Sequence, residues 1–164
     1  MTARSALDLE RRQQQMRAAL DEVLAGLSEA EADALRVADG RTIREVLAHL
    51  VLTERMVRQD LLLMLAIDHP ELPSIRRLDD RSHLSRVIEE AGTLAGLRAA
   101  LEDACAATLA VVASLDEEQE ARTGHSPELG NVLAASHAAL NVSYHYRGHI
   151  EELHACRRQL SHSA

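Results

Sequence analysis

The sequence predicts an all-α fold, a helical bundle, on three observations. Its 164 residues lean to Ala, Leu, Glu and Arg, with 3 Pro and 7 Gly, a composition that loses little side-chain entropy in a helix and rarely breaks one. Four stretches carry apolar residues at three- and four-residue steps, the repeat of a single helix face. Near the C-terminus His137, Asn141, His145 and His149 step by four, which on a helix stacks them into a polar ridge drifting about 40° per step. Such a ridge inside a bundle needs polar partners or a metal.

The first helix spans about Ala6 to Gly26 on Leu9, Met16, Leu20, Val23 and Leu24. Ser28 and Glu31 form a capping-box pattern that starts a short helix before Asp39-Gly40 turns the chain. Thr42 and Glu45 repeat that pattern and open the second long helix, whose stripe is Ile43, Val46, Leu47, Leu50, Val57 and Leu61, with His49 on its flank. Pro70 and Pro73 break the helix, and the polar stretch through Arg81 reads as the one long connection. A third helix runs from Ser82 or Ser85 to Leu115, with Gly92 and Gly96 kinking its first part. The fourth runs from about Gly130 to Leu160. The segment Ala113-Ser-Leu-Asp-Glu-Glu-Gln-Glu echoes Ala25-Gly-Leu-Ser-Glu-Ala-Glu-Ala, suggesting two similar helical hairpins.

Length fits one domain over 1–164. A formal net charge of −8 argues against a nucleic-acid partner, which needs a clustered basic surface. Arg76, Arg77, Arg81 and Arg86 are the densest basic group, but Asp79 and Asp80 interrupt them, and they read as a solvated loop. The N-terminus lacks a basic and apolar secretion leader, and the longest apolar run, Leu61 to Ile67, is too short to span a bilayer. A cytoplasmic protein without a membrane partner is expected. Cys105 and Cys156 stand singly and read as buried reduced thiols, with Cys156 as a reactive thiol the lesser alternative.

His145 and His149, four apart on one helix face, can reach a single metal ion. The best third ligand is His49, with Glu45 one turn earlier either holding its ring or merely completing the cap. Three neutral imidazoles leave positions open on zinc, nickel or iron, the pattern of a catalytic site. A water or thiol bound there loses its proton near neutral pH. Tyr144 and Asn141 are the candidate catalytic residues. Tyr146 is the lesser candidate for the pocket or else fills space in a core without Phe, while His137 lines the opening or is a hydrogen-bonded core residue. Glu152 either orients a ligand or faces water, and His69 and His83 are surface residues. Glu151-x-x-His154 suggests a di-iron bundle, but no second Glu-x-x-His stands on another helix at a matching place.

The order of these elements carries a resemblance. Thr42-Ile-Arg-Glu-Val-Leu-Ala-His49-Leu in the second helix, Glu71-Leu-Pro in the crossover, Gly124 to Gly130 ahead of the last helix, and His145-x-x-x-His149-Ile within it together resemble the DinB/YfiT-like superfamily over nearly the whole chain. The tryptophan often found ahead of the family's second helix is missing, as this chain has no Trp or Phe. The resemblance implies a four-helix bundle with one long crossover between helices two and three, and metal-binding histidines at His49, His145 and His149. It also implies a homodimer and an enzyme that activates a low-molecular-weight thiol of the mycothiol or bacillithiol type for S-transfer to a small-molecule substrate. The alternatives are a metal-dependent hydrolase and a non-catalytic, stress-associated helical dimer.

Overall fold

Four long helical rods form the body of the computed structural model, which describes residues 3–161. They are α1 (Ala3–Leu24), α3 (Ile43–Ala66), α5 (Leu94–Ala113) and a C-terminal rod of α7 (Ala134–Leu140), a π-helical segment (Asn141–Tyr146) and α8 (Arg147–Ser161). Short helices α2 (Glu29–Ala34), α4 (Arg81–Ala91) and α6 (Glu117–Glu120) lie between them. The topology is a four-helix bundle: α3 packs on α5 and α7, and α1 packs on α5, α7 and α8.

Local chemistry sets the helix starts. Ser28 and Thr42 each accept the backbone N–H three residues on, and Glu31 and Glu45 reach back to the cap N–H. Each such cap contributes about 1 kcal/mol by satisfying donors that a helix end leaves unpaired. Asp116 and Gln119 form the same box at α6, so the echo between the two halves is structural.

Two expected elements differ. The third helix is broken rather than kinked. Gly92 takes φ 72° and ends α4, and Thr93 then caps α5 by accepting from Gly96 N. The last rod begins at Ala134, not Gly130, because Thr123–Ser126 (β1) and Gly130–Leu133 (β2) pair as an antiparallel hairpin, Gly124 opposite Val132. The hairpin in turn holds the crossover. His125 N donates to Pro70 O, and Leu72 N to His125 O. Gly124 is in close contact there, since a Cβ would lie 3.0 Å from Met64 Cγ and 3.2 Å from Leu72 Cδ1.

The core is aliphatic, drawn from all four rods, with Tyr146 its bulkiest buried side chain. Each fully buried Leu or Val contributes roughly 1.5–3 kcal/mol, so the bundle needs no Trp or Phe. Cys105 and Cys156 are buried free thiols, and burial pushes both thiol pKa values up. Arg76, Arg81 and Arg86 are exposed, as are His69 and His83; the side chain of Arg77 lies outside the described residues.

Candidate metal centre and its cavity

The capped start of α3 fixes the phase of that helix, and its second turn carries His49 into the bundle, 3% exposed. The C-terminal rod brings His145 and His149 to meet it. His49 Nε2 and His145 Nε2 are 3.0 Å apart, and the ring centroids stand 5.0, 5.0 and 4.5 Å from one another. One nitrogen from each of the three lies within 4.8 Å of the others. Two imidazoles on one tetrahedral zinc, at Zn–N distances of 2.0–2.1 Å, hold their nitrogens about 3.3 Å apart. The donor set therefore fits a single divalent cation, and among the described residues it is the group of His, Cys, Asp and Glu side chains that can share one.

The rings are also prepared for that role. His149 Nδ1 lies 2.8 Å from Glu152 Oε2, which commits the Nδ1 proton to the carboxylate and leaves Nε2 to face the centre. Burial, then the neighbouring His149 and His49, push the His145 pKa down to about 3, so its ring is neutral at physiological pH. Thr53 Oγ1 donates to His49 O at 2.8 Å and sits 3.4 Å from His145 Nε2. Glu45 accepts from Thr42 N at 2.7 Å, so its observed bond is the cap.

The π-helical segment is a feature that sequence spacing did not indicate. Its wider turn rotates less per residue than an α-helix. Residues four apart thus drift by less than the α-helical 40°, and the ridge runs straighter. Glu54 of α3, 0% exposed, bonds both ends of this segment. Tyr146 Oη donates to Glu54 Oε2 at 2.6 Å, and Asn141 Nδ2 donates to the same oxygen at 3.3 Å.

A cavity of about 630 Å³ opens beside His145. The ridge supplies His137, Asn141 and Tyr144 to its wall, α3 supplies Met56, Val57 and Asp60, and the crossover and hairpin close the other side.

Residues 12–153 match the DinB superfamily. The chain belongs to the DinB superfamily. Its structure is similar to that of YfiT from Bacillus subtilis, with a TM-score of 0.73 at 17% identity over 98% of this chain and 87% of that one. YfiT is described as a probable metal-dependent hydrolase with an unusual four-helix bundle topology. No curated protein matches the sequence. Among the described residues, no helix of this DinB superfamily chain is long and apolar enough to cross a membrane.

The site of this superfamily member brings His49, His145 and His149 together and places Tyr144 and Asn141 on the adjoining wall. Tyr144 is 75% exposed, whereas the Asn141 amide is turned to Glu54. Glu151 is an exposed partner of Arg147 at 3.1 Å, outside the centre. Sequence reading missed Glu54 and Asp60, both buried. A signal was present: Glu54 continues the steps Leu47, Leu50, Val57, Leu61, and Asp60 continues Val46, Leu50, Val57, so both carboxylates stand in apolar stripes.

Proposed function

We propose that this chain is a metal-dependent enzyme in which His49, His145 and His149 hold one divalent cation, zinc, nickel or iron, and the cavity receives a small-molecule substrate. The observation that supports it is the convergence of three imidazole nitrogens within 4.8 Å beside a cavity that His145 itself lines. A cation held there supplies Lewis acidity, lowering the pKa of a thiol or water that reaches it. Glu152 fixes the His149 ring and the bundle keeps His145 uncharged. Tyr144 offers its phenol, and Asn141 its amide oxygen, to the substrate.

The nucleophile in this reading is a low-molecular-weight thiol of the mycothiol or bacillithiol type. Its sulfur forms a bond to an electrophilic carbon as the leaving group departs with the bonding pair, and the thiol proton passes to solvent. Hydrolysis is the second reading, favoured by the description of YfiT, with water in place of the thiol. We take the chain to act as one domain over 1–164, as a homodimer and in the cytoplasm, which sedimentation and cell fractionation check.

The test begins with metal content, by mass spectrometry, of protein purified without a metal-affinity tag. Near-stoichiometric metal in the wild type, lost in His49→Ala and His145→Ala, is expected. Metal-loaded protein is then assayed with mycothiol and 1-chloro-2,4-dinitrobenzene, and separately with 4-nitrophenyl acetate and no thiol. Turnover in the first alone supports thiol transfer; in the second alone, hydrolysis. A metal-free wild type whose melting temperature ignores added zinc and nickel removes the enzyme reading and leaves the non-catalytic helical dimer.

A further inference from the structure

We propose that Asp60 and His137 form a second binding pole of the cavity, selecting a substrate whose apolar body ends in a hydrogen-bond donor, such as a hydroxyl, an amide N–H or an ammonium. A substrate ending in a carboxylate or phosphate is rejected there. The proposal rests on the metal-centre reading for which end of the substrate reacts; the selection itself comes from the far wall.

His137 Nε2 and Asp60 Oδ2 are 2.9 Å apart, with side chains 7% and 3% exposed. A carboxylate only accepts, so Nε2 carries the proton in this bond, and in the neutral ring Nδ1 is then an acceptor. His137 Nδ1 and Asp60 Oδ1 are both buried without a hydrogen-bond partner. Leaving buried groups in that state carries a desolvation cost. The buried hydroxyls of Thr53 and Thr108 avoid this cost by donating to His49 O and Ala104 O, whereas Glu54 Oε1 shares it outside the cavity wall. Placed in a cavity wall, a pair with two unused acceptors is suited to a donor arriving from the cavity.

The rest of the wall agrees. The charged side chains among the described lining residues are the carboxylates of Asp60 and Glu128, and Met56, Val57, Pro73, Ile75, Val132 and Leu140 supply apolar surface. Arg41, whose charge reaches His145, is not among the described lining residues. His137 and His145 stand eight residues apart on one rod, roughly 12 Å at 1.5 Å per residue. A six-carbon chain with a polar atom at each end extends roughly 9 Å, and a hydrogen bond of about 2.9 Å at one end completes that interval.

The test uses three probes of matched length on the full chain with no metal added: 6-amino-1-hexanol, hexane-1,6-diol and hexanedioate, which has a carboxylate at both ends, titrated by NMR with the His137 ring signals as reporter. The amino alcohol and the diol are expected to shift those signals and to bind about ten-fold or more tighter than the dicarboxylate, the usual effect of a hydrogen bond to a charged group. That preference is expected to collapse in Asp60→Asn. Equal or tighter binding of the dicarboxylate, a preference that survives Asp60→Asn, or no binding of any probe overturns the proposal. The wild-type comparison decides even if the variant does not fold. The probes carry no thiol and need no metal, so loss of the metal-centre reading would appear in metal content and leave this titration unchanged.

Discussion

Tyr146 Oη donates a 2.6 Å hydrogen bond to Oε2 of Glu54, joining α3 to the rod that carries His145 and His149. Burial raises the Glu54 carboxyl pKa above its ordinary 4.5, and the bonds from Tyr146 and Asn141 offset only part of that rise. Burial likewise raises the Tyr146 phenol well above its usual value, so it remains a donor. A group whose folded pKa is raised contributes stability that is complete below its unfolded value and lost as pH climbs through the folded one. Wild-type stability should therefore lose this contribution as pH rises from about 4.5. Glu54→Gln keeps an acceptor for Tyr146 without the charge. Its stability relative to wild type, from urea unfolding, should be near zero difference at pH 4.5 and positive at pH 8. A difference that is flat with pH refutes the assignment. Glu54→Ala strands both donors and is expected to cost about 2–4 kcal/mol near pH 4.5, and less as pH rises and the wild type loses the Glu54 contribution.

The two tyrosines should separate cleanly. Tyr146→Phe leaves a buried carboxylate short of its best donor and is expected to destabilise by about 1–3 kcal/mol. Tyr144, 75% exposed, should tolerate Phe within about 0.5 kcal/mol while its removal lowers turnover. Thermal melts and steady-state rates on the same preparations check both. A Tyr146→Phe protein as stable as wild type would mean that the Asn141 amide already satisfies Glu54 Oε2.

Much of this was legible because caps and stripes are local. Ser28 with Glu31 and Thr42 with Glu45 occur as read, and the four-residue step of His145 and His149 did place them together, with His49 across from them. The hairpin was not legible. Four-residue strands such as Thr-Gly-His-Ser carry no apolar alternation, and their register depends on the crossover lying against His125. The π segment escaped for a related reason: Glu54 bonds both its ends from a helix nearly ninety residues earlier, a long-range contact that no window of the last helix contains.

The hairpin makes its own prediction. Gly124→Ala introduces a methyl 3.0 Å from Met64 Cγ and 3.2 Å from Leu72 Cδ1, pressing β1 away from α3 and from the crossover. Met64 can yield in part, so the cost should be about 1 kcal/mol, within the range for overpacking. Amide exchange should rise at Leu72 and His125, whose N–H groups join crossover to strand. Unchanged exchange there, with lost stability elsewhere, would place the stress on α3 alone.

Glu152 offers the sharpest test of how the centre is built. Its carboxylate lies 2.8 Å from His149 Nδ1 and is 38% exposed on the side chain, so it contributes little to folding as an isolated pair. Its effect should appear instead in metal affinity, where the partner of a ligating imidazole fixes the tautomer and strengthens the donor. Removing such partners lowers affinity by about 10–100-fold. Glu152→Ala should therefore melt close to wild type without metal, yet bind cobalt at least about ten-fold more weakly in competition against a chromophoric chelator. Glu152→Gln, which still accepts from Nδ1, should fall between the two. Equal cobalt affinity in all three proteins would show that His149 takes its orientation from helix packing alone.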